Sequence, residues 1–179
     1  IGGGIGIQYD KEKPPNISEY AKTVKKILKG TGLKIIFEPG RVLIGNAGIL
    51  LTTVEFIKNG TEKNFVVVDA AMNDLMRPSL YSAFHKIVNL SESLSRRKKY
   101  DIVGPICETG DFLGKNRTLS VEENNLLAIL DVGAYGMSMS SNYNTRPKVS
   151  EILVDKDKFF IIRKKDTFAD LINGEQLLP

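Results

Sequence analysis

Between residues 17 and 28 the apolar positions Ile17, Tyr20, Ala21, Val24, Ile27 and Leu28 recur three and four apart. That period predicts one amphipathic helix. Ser18 offers a cap at its start, and Gly30 or Gly32 a stop at its end. The next stretch, LKIIFE at 33–38, is a short continuous apolar run and predicts a buried strand. A glycine loop (IGGGIGI, 1–7), a helix and a strand make one repeat of a parallel α/β fold. In such folds functional groups gather where strands end.

From about residue 49 the texture changes. ILLTTVEFIKN (49–59) and NFVVVDA (64–70) read as strands joined by the turn-rich NGTEKN. SAFHKIVNL (82–90), YDIVGPI (100–106) and NLLAILDVG (125–133) are further strand candidates. SEILVDKDKFFIIRKK (150–165) reads as a hairpin with a polar turn, and TFADLING (167–174) as a terminal helical turn. The expectation is two units. Residues 1–43 form the last piece of an α/β barrel or sheet, and 44–179 a mostly antiparallel β domain, with the junction near 41–47.

Composition narrows the function classes. A chain of 179 residues with 42% apolar and 26% charged residues can bury a core. Its net charge of +4, from 25 basic and 21 acidic residues, is too mild to imply nucleic acid. The densest basic cluster, Arg96-Arg97-Lys98-Lys99, reads as a solvated loop. The single cysteine, Cys107, allows no internal disulfide and suits a reducing cytoplasm. No run approaches the roughly 18–20 apolar residues of a membrane helix, and no signal peptide is visible. The chain opens on Ile1 inside a glycine motif. The expectation is therefore the C-terminal part of a longer protein.

Five stretches could carry chemistry. Gly2, Gly3, Gly4 and Gly6 leave backbone N–H groups uncovered, able to wrap a phosphate. Their spacing fits neither the dinucleotide fingerprint nor the Walker loop, and a tight packed turn is the plainer alternative. Glu38-Pro39-Gly40-Arg41 forces a turn at the predicted strand end. Its two charges are either a local ion pair or a partner for a cationic nitrogen beside an anion binder. In GPICETGDF (104–112), Cys107 is a small buried hydrophobe or, in that polar turn-rich setting beside Glu108, a reactive thiol. In DVGAYGMSMSSNYN (131–144) small residues flank Tyr135, so a backbone or ligand could approach closely. In DAAMNDLMRPSLYSAFH (69–85), Arg77 and Tyr81 are four apart. On a helical turn they would share one face and suit a carboxylate; the alternative is a surface arginine over a core tyrosine. His85, the only histidine, has no metal-ligand cluster around it and reads as structural.

Taken in order, GGGIG, EPGR, VDAAMNDLMRPSLY, GPICETGD and GAYGMSMSSNYN resemble the C-terminal half of the diaminopimelate decarboxylases. These belong to the fold-type III, alanine-racemase-like enzymes that use pyridoxal phosphate (PLP). The resemblance implies the end of a PLP-binding (β/α) barrel followed by a mostly antiparallel C-terminal β domain. It implies that Gly3 and Gly4 hold the cofactor phosphate and that Glu38 pairs with the pyridine nitrogen. Pro39, Gly40 and Arg41 would lie at the phosphate and substrate end. Arg77 and Tyr81 would grip the distal carboxylate, Cys107 would donate a proton, Glu108 would read the distal amine, and Tyr135 would line cofactor and substrate. It further implies a homodimer in which the CETGD stretch reaches the neighbouring subunit's site.

The residue types are consistent with decarboxylation of meso-diaminopimelate to L-lysine. The reaction leaves a carbanion at Cα that must be reprotonated, and an ordinary thiol is mostly protonated at neutral pH. The substrate's far end carries a carboxylate and an ammonium, which an Arg–Tyr pair and a Glu match. One departure is large: the lysine that carries the cofactor lies in the family's N-terminal half, and no lysine here, Lys34 included, matches its motif. The chain alone is therefore expected to be inactive and to need that half. Alternatives are a related ornithine, arginine or carboxynorspermidine-type decarboxylase, a non-catalytic β-domain partner, or a phosphate-binding module unrelated to PLP.

Overall fold

A computed structural model describes residues 1–178. Helix α1 (Ile17–Ile27) forms where the apolar period predicts it. Its cap is Asn16 rather than Ser18. The Asn16 side chain accepts from the backbone N–H groups of Ser18 and Glu19, and so satisfies two first-turn donors. Gly30 and Gly32 both take positive φ just beyond the helix end. None of the residues of α1 is buried.

The expected buried strand at 33–38 does not form as such. Phe37 makes one parallel bridge to Gly2, and Ile35, Ile36 and Phe37 stay exposed. A parallel strand needs a neighbour on each side and a covering layer, and among the described residues this segment has one bridge and no cover. A single turn, α2 (Arg41–Ile44), and a 3₁₀ turn at Gly45–Ala47 then lead into the sheet.

Strands β1 (Leu50–Asn59), β2 (Asn64–Val68), β3 (Ile87–Asn89), β4 (Lys98–Val103), β5 (Phe112–Leu119) and β6 (Leu126–Ile129) form one sheet in the order β3-β6-β1-β2-β4-β5. Only the β2–β4 ladder is parallel. The sheet curls until its two edges meet, where the Asn89 side chain donates to the carbonyl of Ser120 at 3.0 Å. Val54, Val66, Val68, Ile102, Leu113, Leu127 and Ile129, all fully buried, fill the interior. The hairpin of β7 (Glu151–Asp155) and β8 (Lys158–Arg163) stands apart as a second sheet, and α3 (Arg77–Tyr81) and α4 (Phe168–Leu171) are short turns.

Two differences from the sequence expectation have local causes. Strand β5 is not signalled, because Gly114 and the polar run Lys115-Asn116-Arg117 break the alternation. Asn116 sits at a positive φ, in a bulge opposite Tyr100–Ile102. The 82–90 segment is strand only over Ile87–Asn89, because α3 precedes it and Ser82 turns left-handed. The basic cluster is exposed, but Lys98 and Lys99 begin β4 rather than lying in a loop. No helix among the described residues is long and apolar enough to cross a membrane.

Buried carboxylates tie together the loops at one end of the sheet. Asp111 accepts from the N–H groups of Met72 and Ile106, each at 2.7 Å, joining the loop before α3 to the loop between β4 and β5. Asp74 accepts from the N–H of Ala71 at 2.9 Å and lies 3.8 Å from Arg146. Arg146 in turn donates to the carbonyl of Asp69 and the side chain of Asn73. Burial pushes both carboxyls above the usual range, against hydrogen bonds that pull them down. By linkage, the stability carried by their protonated forms is lost as pH rises through those raised values.

Replacing Asp111 by alanine leaves the Met72 and Ile106 N–H groups without their acceptor. We expect a loss of about 1–3 kcal/mol in denaturant unfolding. Amide exchange should also quicken across 104–111. An unchanged midpoint would show that the carboxylate does not hold the loop.

Candidate active site

The glycine loop and the Glu-Pro-Gly-Arg turn lie side by side. The N–H of Glu38 donates to the carbonyl of Gly2 at 2.9 Å, and Gly4 takes φ +85. A Cβ on Gly3 would run into the carbonyl of Glu38, so only glycine fits there. A Cβ on Gly40 would sit 2.9 Å from the hydroxyl of Tyr135.

Tyr135 reaches this turn because its loop is clamped to the chain entering β1. The N–H of Val132 donates to the carbonyl of Gly48, and that of Gly133 to Gly45, each at 3.0 Å. At Gly133 a side chain would strike the carbonyl of Ile44, so two backbones pack directly. Tyr135 itself holds φ +63, a sparsely populated conformation for a non-glycine residue.

These approaches form a half-open cavity of about 480 Å³ lined by Gly3, Gly4, Ile5, Gly6, Glu38, Gly40, Arg41 and Tyr135. Of the residues expected at the cofactor, only Pro39 is not in its wall; it forms the turn between Glu38 and Gly40. The size suits a small organic ligand. The wall offers uncovered backbone N–H groups for an anion, one carboxylate, one guanidinium and one phenol. That donor set and the glycine cradle fit a phosphorylated pyridine aldehyde, with Glu38 the available partner for a protonated ring nitrogen.

Two guanidinium groups stand here, Arg41 in the cavity wall and Arg77 across the ring of Tyr9 from it. Arg41 is 5.6 Å from the ring of Tyr135 and 5.9 Å from that of Tyr9, and Arg77 is 4.9 Å from Tyr9. Neither arginine has an ion-pair partner among the described residues. Arg77 is 6% exposed and meets the Nε2 of His85 at 2.9 Å, while Tyr81 is 62% exposed. The turn α3 therefore turns Arg77 inward and Tyr81 outward, the reverse of a surface arginine over a core tyrosine. Tyr9 was not singled out from the sequence. Its one signal is an aromatic residue three positions after the last glycine of the loop.

Cys107 and Glu108 do not line the cavity. They stand at the tip of the loop that Asp111 anchors, with the thiol exposed. Glu108 accepts from the hydroxyl of Tyr143 at 3.0 Å, which raises the pKa of that exposed phenol. Within one chain the structure thus assembles Gly3, Gly4, Glu38, Gly40, Arg41 and Tyr135, sets Arg77 next to them through Tyr9, and leaves Cys107, Glu108 and Tyr81 on outer surfaces. No cluster of metal-ligating side chains occurs among the described residues.

Known proteins resemble this chain over its length. It is 51% identical to a diaminopimelate decarboxylase of Pseudomonas fluorescens, a match covering 100% of this chain and 43% of that protein. The crystal structure of diaminopimelate decarboxylase from Helicobacter pylori complexed with L-lysine superposes with TM-score 0.89 at 43% identity, covering 96% of this chain and 43% of that one. That of the enzyme from M. jannaschii superposes with TM-score 0.93 at 39% identity, covering 100% and 43%. The chain thus spans less than half the length of these relatives. Residues 9–133 match the family model described as the pyridoxal-dependent decarboxylase C-terminal sheet domain. The chain belongs to the pyridoxal-dependent decarboxylases, and residues 9–133 are matched by that family's C-terminal sheet domain.

Proposed function

We propose that this chain forms the C-terminal part of a PLP-dependent carboxy-lyase that converts meso-diaminopimelate to L-lysine. The observation that carries this reading is the shared cavity, in which residues as distant in sequence as Gly3, Glu38 and Tyr135 meet. Residues 1–43 are then the end of the PLP-binding barrel and 44–179 the C-terminal β domain. PLP, when bound, supplies an electron sink for the bond to the departing carboxylate.

The chain's own residues bind and orient. Backbone N–H groups at Gly3 and Gly4 take the phosphate, and Gly40 and Arg41 close that end beside the substrate. Glu38 keeps the ring nitrogen protonated. Arg77 takes the distal carboxylate, Glu108 the distal ammonium, and Tyr135 the face of cofactor and substrate; Tyr81, turned outward on α3, joins that carboxylate only where the complete assembly brings a site against its outer face. Cys107 returns a proton to Cα from its Sγ.

The outward placement of Cys107 and Glu108 supports a homodimer in which this loop completes the partner's cavity. Exposed apolar side chains support a further partner, the N-terminal barrel half. Ile36, Phe37, Leu43 and Ile44 stand in solvent, as do Ile152, Val154, Phe159 and Ile161 on the β7–β8 hairpin. Surface of that kind is normally covered in a working protein. The lysine that carries the cofactor belongs to that half, so this chain by itself is inactive. A free exposed thiol suits a cytoplasmic setting.

The deciding assay is CO2 release from meso-diaminopimelate against ornithine and arginine by the complete protein. Preference for ornithine or arginine would overturn the substrate assignment. Cys107→Ala should lower turnover by at least about a hundredfold while PLP stays bound; unchanged turnover would remove Cys107 as the donor. Arg77→Ala should weaken substrate binding by about 2–5 kcal/mol. Loss of cofactor with normal substrate affinity would reassign Arg77.

A further inference from the structure

His85 is fully buried, and both its ring nitrogens are engaged. Nδ1 lies 3.0 Å from the carbonyl oxygen of Leu130, which can only accept, so Nδ1 carries the proton. Nε2 lies 2.9 Å from the NH1 of Arg77, which can only donate, so Nε2 is bare. The two contacts together fix one neutral tautomer. The ring of Tyr9 packs edge-on against the imidazole at 5.2 Å and also lies against Arg77.

We propose that His85 is a positioning residue: its neutral imidazole aims the Arg77 guanidinium at the distal carboxylate of the substrate and leaves the positive charge of that guanidinium uncancelled. A carboxylate in its place would also orient the arginine, but would neutralise it and compete with an incoming anion. The absence of an ion-pair partner for Arg77 among the described residues is what such an anion site requires. The proposal rests on the reading above that Arg77 takes the substrate's distal carboxylate.

The surroundings favour the neutral ring. Burial lowers the pKa of His85 most. Arg77 on α3 and Arg117 on β5 lower it further, while the Leu130 carbonyl and Asp131 beyond β6 raise it. Tyr9 faces the ring with its aromatic edge. Protonation therefore comes only below the ordinary histidine value of about 6.5. It places a second cation against Arg77 and removes the acceptor.

His85 is the one histidine of this chain, and in long-range proton–nitrogen NMR of the holoenzyme its ring is identified as the signal lost in His85→Gln. We expect a protonated Nδ1 and a bare Nε2 at neutral pH. A charged ring or an Nε2–H tautomer overturns the proposal. In kinetics, His85→Leu should raise KM for meso-diaminopimelate about tenfold or more, as for a lost hydrogen bond to a charged group. Turnover should stay within about threefold. His85→Gln, which keeps an acceptor, should recover most of that KM. Wild-type KM should rise as pH falls below about 6.5, and the Gln variant should lack that rise.

Equal KM in the wild type and the Leu variant, or an acid rise that persists in the Gln variant, overturns the proposal. If the Leu variant does not fold, the Gln profile and the NMR decide. A wild type without turnover of any carboxylate-bearing amino acid would sink the decarboxylase reading instead, and the NMR would still judge the contact to Arg77.

Discussion

The site depends on one close approach. Where the turn at 44–48 meets the loop at 132–133, Gly48 and Gly133 leave no side chain between the two backbones, which hydrogen-bond directly. That contact sets the loop of Tyr135 against the Glu-Pro-Gly-Arg turn. Without it the glycine loop and Tyr135 would belong to separate surfaces, and the 480 Å³ cavity would have no far wall. A larger residue at Gly133 would act on function through geometry, with no contact to any ligand.

Around that contact the molecule separates two kinds of polar burial. Asp74 and Asp111 are buried with backbone N–H partners and serve architecture, holding the loops that follow β2 and β4. Arg77 is buried with a neutral partner, and Arg41 lies over aromatic faces. Their charges are held in place but not cancelled. Carboxylates saturated by donors make a scaffold, and guanidinium groups without carboxylates make a binding surface for anions.

Much of this was legible in the chain. The helical period of 17–28, the two strands around Asn59-Gly60 and the hairpin at 150–165 all appear where pattern places them, because local spacing and turn residues suffice. The segment 33–38 departs from its pattern because apolar, β-branched residues report a preference for burial and not the presence of a cover. Strand β5 is the opposite case: its pairing with β4 forms despite a polar, bulged middle, through neighbours remote in sequence. Asn16 displaced Ser18 as the cap because its side chain, not that of Ser18, lies outside the first turn.

By itself the sequence determined the residue types of the site. A run of glycines, a carboxylate and an arginine on a stiff turn, and a lone thiol beside an acid are properties of short segments, set by local sterics and charge. Only the tertiary structure decided which of them meet. It turned Arg77 inward and Tyr81 outward, although a helical period alone would have put them on one face. It inserted Tyr9 between two arginines, and it gave His85 a partner on each ring nitrogen. The physical reason is that orientation and protonation depend on which groups from distant segments exclude water from a residue, and spacing along the chain carries no record of that.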